Sequence, residues 1–266
     1  MDENEILDKV LDPEYERYLR LQERKDEMRN IFELARTGDA DAQCTLGDCY
    51  YFGFGVEQDK EMAVAWYNKA AKQGHANATY DLGVCYSLGK GVKQDNAAAF
   101  EYYRMAAELG LAVAQFNAGI CYFLGNGVRA NDAKAVKWWT QAAEQDYVQA
   151  QYNLGESYHT GDIVKKDREK AIYWWTRAAE NGYAAAQYKL GDCYFSAKPA
   201  DRDYKKAVEW FEKAAEQDNA FALFCLGICY ANGFGVERDY VKATEMYIRS
   251  AEQGYDKARL KLEKLK

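Results

Sequence analysis

Cysteine is the residue with the widest chemistry in this chain, and five of the seven cysteines share one register. The positions of this series are 36 residues apart, and all of them except Ser157 are cysteine: Cys49, Cys85, Cys121, Ser157, Cys193 and Cys229. Such a ladder could hold metal ions or form disulfides. Neighbouring helices, however, pack about 8–10 Å apart, whereas a disulfide requires Cα atoms within about 7 Å. We therefore interpret these residues as small buried hydrophobic side chains and predict no metal site.

Two other patterns could support catalysis, but neither is complete. His75 and His159 have no partner at the H-x-x-x-H or C-x-x-C spacing of metal sites. The tetrapeptide Ser87-Leu88-Gly89-Lys90 matches the S-x-x-K motif of penicillin-recognising serine enzymes, but the accompanying S-D-N and K-T-G motifs are missing from the sequence. Hydrolysis of β-lactams is therefore the weakest hypothesis. We predict that the chain is not an enzyme and takes no cofactor.

The charge balance excludes a general nucleic-acid binder, because such proteins need a basic face to displace counterions from phosphates. The formal net charge is −7. No run of 18 apolar residues occurs, so we predict no membrane insertion. The acidic start Met1-Asp2-Glu3-Asn4-Glu5 does not have the pattern of a secretory signal. Together with the unpaired cysteines, it predicts a cytoplasmic protein with free thiols.

The register of the cysteines belongs to a repeat that runs through the chain without insertion or deletion. One column contains only glycine: Gly47, Gly83, Gly119, Gly155, Gly191 and Gly227. Three residues later, a second column contains only tyrosine: Tyr50, Tyr86, Tyr122, Tyr158, Tyr194 and Tyr230. We predict six repeats over 39–254, namely 39–74, 75–110, 111–146, 147–182, 183–218 and 219–254.

Each repeat is predicted to form two helices. In the first, Ala42, Leu46 and Tyr50 recur at helical spacing and mark one face. The sequence Gly53-Phe54-Gly55-Val56 then ends the helix, since glycine adopts the left-handed backbone of a helix end, and Asp59 caps the second helix. A glycine inside a helix costs about 1 kcal/mol relative to alanine. The glycine column therefore predicts close helix contacts, with Tyr50-type and Trp66-type rings filling the adjoining space.

Both ends of the repeat array are predicted to be capped. Residues 1–38 form an N-terminal capping segment, in which Asp12-Pro13 is a strong helix start. Residues 255–266 form a lysine-rich C-terminal capping helix. Exposed terminal repeats would otherwise leave apolar surface in water.

The repeat resembles the Sel-1-like repeat, a relative of the tetratricopeptide repeat. The pattern A-x-x-x-L-G-x-x-Y is best matched by Ala150, Leu154-Gly155 and Tyr158, and D-x-x-K-A by Asp167-Arg168-Glu169-Lys170-Ala171. The resemblance implies an all-α fold, a right-handed α–α superhelix or solenoid, that serves as an adaptor or assembly scaffold. Repeats four and five depart from G-x-G-V with Gly161-Asp162-Ile163-Val164 and Ala197-Lys198-Pro199-Ala200, so we expect different paths there.

By analogy with the tetratricopeptide fold, the first helices line a concave groove, and three columns of each first helix face it. The predicted partner-binding residues are Tyr80, Asp81, Phe116, Asn117, Ile120, Tyr152, Asn153, Glu156, His159, Tyr188, Lys189 and Asp192. The aromatic side chains suit packing between repeats as well as an extended peptide. The amides would hold a peptide backbone, and the carboxylates favour basic residues in the ligand.

Two functions that need no catalysis follow. The leading hypothesis is a scaffold whose groove binds a peptide or a partner protein. The alternative is a structural module that self-associates through the repeat ends or the outer face. The sequence identifies neither the partner nor the oligomeric state.

Overall fold

The computed structural model describes residues 26–198 and 202–263, and within these residues it contains helices and no strand. The chain divides into two compact units between Asn131 and Asp132. In the first unit, residues 26–37 are helical and five helices follow: α1 Ala40–Phe52, α2 Lys60–Ala71, α3 Ala76–Leu88, α4 Asn96–Glu108 and α5 Ala112–Leu124. The second unit contains α6 Asp132–Glu144, α7 Val148–Thr160, α8 Arg168–Glu180, α9 Ala184–Phe195, α10 Tyr204–Ala215, α11 Ala220–Asn232, α12 Tyr240–Glu252 and α13 Asp256–Glu263. The all-α repeat prediction is confirmed.

The helix boundaries follow the predicted turn chemistry. Gly53 ends α1 with a left-handed backbone (φ 79°), and the Asp59 carboxylate accepts the Met62 amide at the start of α2. The Asp59 amide also donates to the Tyr50 carbonyl at 2.9 Å, and all six repeats contain this bond. In repeat five, α9 instead ends at Ser196 with a negative φ. The turn between the two helices therefore stays closed even where glycine is missing.

At five of its six positions, the glycine column lies at a close contact inside a helix pair. A Cβ on Gly47 would come within 2.5 Å of the Tyr67 ring, and one on Gly155 would overlap the Trp175 indole. These rings belong to the column that follows Trp66, so the predicted close packing is present but the partner ring is one residue further along. Trp66 itself packs with Ala35 and Leu46. The ring has to approach the helix axis, and only a residue without a side chain allows it.

The second glycine of G-x-G-V has a separate function that the sequence did not indicate. Gly91 lies against the first carbonyl of α2, and a Cβ there would overlap the Lys60 oxygen. Gly127 and Gly235 make the same approach to Asn96 and Tyr204, the first residues of α4 and α10. Each of these glycines fixes a connection directly onto the second helix of the preceding repeat.

Buried glutamines join successive repeats. The Gln43 side-chain amide donates to the Ala35 carbonyl at 3.0 Å, and Gln151 and Gln187 donate to carbonyls eight residues before them at 3.0 and 3.1 Å. These carbonyls lie in the last turn of the preceding helix and also accept a backbone amide of the turn that follows it, so each glutamine supplies a second bond. The glutamines thereby hold the first helices of repeats one, four and five on the helix before them.

The predicted caps are described in part. Ala35 is buried with Ala42 and Leu46 against the first repeat, while Asp12-Pro13 lies outside the described residues. At the other end, Ala258 of α13 is fully buried and Leu260 is exposed. Each end of the described chain therefore places an alanine against the neighbouring repeat.

Candidate functional site

The predicted groove residues lie on four first helices, two in each unit. Eleven of them are half-buried and His159 is exposed. The N-terminal unit holds its members on α3 and α5: Tyr80, Asp81, Phe116, Asn117 and Ile120. The C-terminal unit holds the others on α7 and α9: Tyr152, Asn153, Glu156, His159, Tyr188, Lys189 and Asp192.

In the N-terminal unit, the predicted groove residue Tyr80 packs against side chains of its own chain. The Tyr80 ring lies 5.6 Å from the Tyr103 ring, and its hydroxyl accepts from Asn117 Nδ2 at 3.4 Å. The same Asn117 nitrogen donates to the Val113 carbonyl at 2.8 Å. The Asn117 amide is therefore already engaged by its own helix and by a tyrosine of the preceding repeat.

Two carboxylates of adjacent repeats face each other in the N-terminal unit. Burial, and then the charge of Asp48, raise the pKa of the Asp81 carboxyl to about 7. Asp48 accepts the Tyr67 hydroxyl at 2.7 Å, and Cys44 Sγ lies 4.0 Å from Asp81 Oδ2. Burial raises the pKa of the Cys44 thiol to about 12, so it stays protonated at neutral pH. Among the described residues, no lysine or arginine pairs with either carboxylate.

In the C-terminal unit, the aromatic residues also contact rings of their own chain. Tyr152 lies 5.3 Å from Tyr183, and Tyr188 lies 5.5 Å from Phe221. Burial raises the pKa of the Tyr152 hydroxyl to about 12. These rings fill the space between consecutive first helices, as one of the two sequence interpretations proposed.

The polar members of the C-terminal unit separate into paired and unpaired groups. Lys189 Nζ forms an ion pair with Glu156 Oε2 at 2.9 Å, and both side chains are largely shielded from solvent. The Lys189 ammonium also lies 5.8 Å from the centre of the Trp175 ring. The Asn153 side chain, in contrast, makes no hydrogen bond within the described residues and stays half-buried.

His159 and Asp192 line a cavity of about 300 Å³ at the ends of α7 and α9. The His159 ring lies 5.2 Å from the Trp175 indole, and Asp192 Oδ1 accepts the Ser196 hydroxyl at 3.0 Å. The other lining residues within the described part of the chain are Lys166, Arg168, Cys193, Ser196, Ala197 and Lys198. This cavity joins residues of three segments that the sequence did not connect.

Asp48, Lys166, Arg168 and Lys198 are not among the predicted partner-binding residues, although Asp48 lies in a column that was expected to face the groove. The register contained a usable signal for Asp48, because Asp48 and Asp81 are 33 residues apart, as are Glu156 and Lys189. Side chains 33 residues apart contact each other across neighbouring repeats, so the pairing of Glu156 with Lys189 points to Asp48 as the residue beside Asp81. The three cations gave no periodic signal, since they lie in or beside connections.

The six repeats match a known repeat family. The model of the Sel1 repeat matches six consecutive segments, 40–75, 76–111, 112–147, 148–183, 184–219 and 220–255. This chain is a Sel1 repeat protein. Sel1 repeats generally mediate protein–protein interactions. In the described part of the chain, no group of three or more His, Cys, Asp or Glu side chains could hold a metal ion.

Two solved Sel1 proteins share the fold. Protein c5321, a protective antigen present in uropathogenic Escherichia coli strains, is 36% identical with a TM-score of 0.85; the match covers 88% of this chain but only 50% of c5321. A Sel1 repeat protein from Oxalobacter formigenes is 31% identical with a TM-score of 0.61, over 91% of this chain and 80% of that one. No curated protein matches the chain. Within the described residues, no helix is long and apolar enough to cross a membrane.

Proposed function

We propose that this Sel1 repeat protein is a non-catalytic adaptor that binds an extended peptide with a basic residue along its first helices. In the N-terminal unit, the basic side chain lies between Asp48 and Asp81. In the C-terminal unit, the Asn153 amide holds the peptide backbone. Each contact belongs to one unit and does not require the other.

The single observation that carries the proposal is a difference between equivalent positions of the same chain. Glu156 and Asp48 occupy one column, and Lys189 and Asp81 occupy the other. In the C-terminal unit, the ammonium group of Lys189 neutralises Glu156 at 2.9 Å. In the N-terminal unit, the matching position holds a second carboxylate, so this pair has no cation of its own among the described residues, and a lysine or arginine of the peptide would supply one.

A partner cation at this position gains from burial. An ion pair that is partly shielded from water is stronger than one at the surface. Lys189 makes a further contact with the Trp175 face, and the Tyr67 ring is the matching residue beside Asp48. A lysine or arginine of the peptide would therefore meet a carboxylate pair with an aromatic ring beside it.

The Asn153 amide supports binding of the peptide backbone. It has both a donor and an acceptor, and neither is used within the described residues. Such an amide can bond to an extended chain whatever the side chains of that chain are. Asn117 is a weaker candidate than predicted, because its donor already serves Val113 and Tyr80.

Selection from a random twelve-residue peptide library on the full chain tests the proposal. We expect lysine and arginine to be enriched in the selected peptides. The substitution Asp81→Lys copies the arrangement of Glu156 and Lys189, so it should fill the site from within and weaken the binding of these peptides about tenfold or more, which corresponds to one lost charge-assisted bond.

The matched control is Asp162→Lys, which makes the same charge change at an exposed position of a connection. If both variants weaken binding equally, general electrostatics explain the effect. If Asp81→Lys binds the selected peptides as tightly as the parent chain does, the groove does not bind them at these carboxylates.

A second candidate function, self-association, is favoured by an exposed apolar column in the N-terminal unit. Phe52, Leu88 and Leu124 end three consecutive first helices and are 57%, 56% and 66% exposed. The same column of the C-terminal unit contains polar residues. If the chain forms oligomers through this column, changing all three residues to serine should reduce the mass measured by light scattering to that of one chain.

A further inference from the structure

A cavity of about 340 Å³ lies between α10 and α12, two consecutive second helices of the C-terminal unit. Its apolar lining residues are Ala215, Leu226, Tyr230 and Met246. Its charged lining residues are Glu212, Glu216, Lys242, Glu245 and Arg249. None of these nine residues belongs to the predicted groove, so the cavity is a separate feature of the described chain.

The same lining recurs 72 residues earlier, in repeat four. Six of the nine positions have the same residue type there: Ala143, Glu144, Leu154, Tyr158, Lys170 and Arg177. Their ion pairs recur as well, since Arg177 pairs with Asp146 at 2.7 Å and Arg249 with Asp218 at 2.8 Å. The bulkiest difference is at Met246, because repeat four has Trp174 in that position.

A tryptophan in this column packs on the residues that line the cavity. Trp66 of repeat one packs with Ala35, Leu46 and Tyr50, which are the equivalents of Ala215, Leu226 and Tyr230. A cation three residues further along the helix covers the indole in repeats one, four and five, at 3.4 Å for Lys69 on Trp66, 5.5 Å for Arg177 on Trp174 and 4.1 Å for Lys213 on Trp210. In repeat six Arg249 holds the cation position, but the column has a methionine.

A second cavity, of about 420 Å³, lies at the equivalent place between α2 and α4. There the column has Tyr102, and Met105 replaces the cation. These two cavities therefore occur where the column has a side chain smaller than tryptophan. Repeat six combines that space with the cation that covers an indole in other repeats.

We propose that the cavity of repeat six binds the indole ring of a tryptophan that belongs to a partner protein. The ring packs on Ala215, Leu226 and Tyr230 beside the guanidinium group of Arg249, as the tryptophans of this chain do in other repeats. Indole is the side-chain ring that attracts a cation most strongly, and tryptophan is enriched among the residues that dominate protein interfaces. Ligand cavities measure about 300–1,000 Å³, so a cavity near the lower limit suits a single side chain.

The charges at the rim determine which residues flank this tryptophan. Glu212, Glu216 and Glu245 are exposed. Arg249 is already paired with Asp218, which leaves Lys242 as the one other cation among the lining residues. The rim therefore favours a tryptophan next to lysine or arginine and disfavours free tryptophan, whose own carboxylate would lie beside the glutamates.

Titration of the full chain with capped Lys-Trp-Lys tests the proposal. Capped Lys-Leu-Lys is the reference of equal charge, and free tryptophan is the small-molecule probe. Binding is followed by the backbone amide NMR signals of residues 242–249. We expect saturable shifts with Lys-Trp-Lys and binding at least about tenfold weaker for the other two probes, since one lacks the ring and the other carries the carboxylate.

Met246→Trp should abolish binding, because the new side chain fills the cavity as Trp174 does in repeat four. Tyr102→Trp is the matched control, since it introduces an indole into the same column of repeat two. It should leave the shifts of residues 242–249 unchanged. Circular dichroism should show the same helical content in both variants.

Two changes at Arg249 test the cation without altering the column. Arg249→Met copies repeat two and should weaken binding about threefold or more, the value of a cation–π contact. Arg249→Lys copies repeats one and five and should retain most of the affinity. Asp81→Lys should leave the shifts unchanged, which separates this site from the groove.

The absence of saturable shifts with Lys-Trp-Lys, or an equal affinity for Lys-Leu-Lys, would overturn the indole site. Undiminished binding in Met246→Trp would also overturn it. An equal affinity for free tryptophan would overturn the assignment to a partner protein. Shifts of the same signals on dilution of the chain alone would overturn it as well, because a second copy would then occupy the cavity.

Discussion

The buried carboxyl of Asp81 predicts that the stability of this protein falls as the pH rises from 5 to 8. Its pKa is about 7 in the folded chain, against a reference of 3.8, because of burial and the nearby Asp48. Between these values the folded state binds more protons than the unfolded state, so the free energy of unfolding decreases with increasing pH. Above pH 7 the full penalty is present, and below pH 3.8 it is absent.

The magnitude follows from the size of the shift. One pKa unit corresponds to about 1.36 kcal/mol, so two units between pH 5 and the folded pKa give at most about 3 kcal/mol. Solvent around the half-buried side chain reduces this to roughly 1–3 kcal/mol. Asp81→Asn removes the titrating group, and the variant should lose this part of the decrease and be more stable than the parent chain at pH 8.

Urea denaturation followed by circular dichroism at pH 5 and pH 8 measures the effect. Other groups titrate in the same range, so the informative quantity is the difference between variants rather than the absolute slope. Asp162→Asn, at an exposed position, should follow the parent chain at both pH values. If Asp81→Asn also keeps the parent's pH dependence, the carboxyl of Asp81 is not buried against Asp48 as described.

Three further results are expected. Gly155→Val should lower the urea midpoint more than Asp162→Val, because any Cβ there overlaps the Trp175 ring and overpacking costs about 1–3 kcal/mol; equal midpoints would place the glycine away from a close contact. Gln187→Ala should destabilise the chain by about 0.5–1.5 kcal/mol, the usual net value of one hydrogen bond, because the Ala179 carbonyl loses the glutamine but keeps the Gly182 amide, and a neutral result in the same assay would show that water replaces the side-chain amide. Asn153→Ala should leave the melting temperature unchanged and weaken binding of a selected peptide by about 1 kcal/mol, the usual net value of a neutral hydrogen bond, as measured by fluorescence anisotropy; undiminished affinity would remove Asn153 from the site.

The repeat, its all-helical character and the ends of its helices were predictable from the sequence. These features depend on local chemistry: an apolar face at helical spacing, aspartate at the start of a helix and glycine at its end. Gly53 ends one helix and Asp59 begins the next, as their residue types predict, and glycine ends the first helix in four of the other repeats. A period of 36 residues without gaps also sets which side chains occupy equivalent positions. The cytoplasmic location stays a prediction.

Tertiary structure decided what the equivalent positions contact. Nothing in the sequence favours the Tyr67 column over that of Trp66 as the partner of the glycines, because both are aromatic and adjacent, and only the packing of the helices selects one ring. The pairing of Glu156 with Lys189, and the opposition of Asp48 and Asp81, depend on how one first helix is displaced along the next.

The pocket of repeat five shows the same division between sequence and structure. Proline in place of glycine predicted an altered connection, since that substitution changes the local backbone. That Lys166, Arg168 and Lys198 line one cavity beside the start of α8 is a consequence of contacts between repeats. Local sequence determines each turn and cap because their energies involve only neighbouring residues, whereas a site built by three segments exists only once the helices have packed.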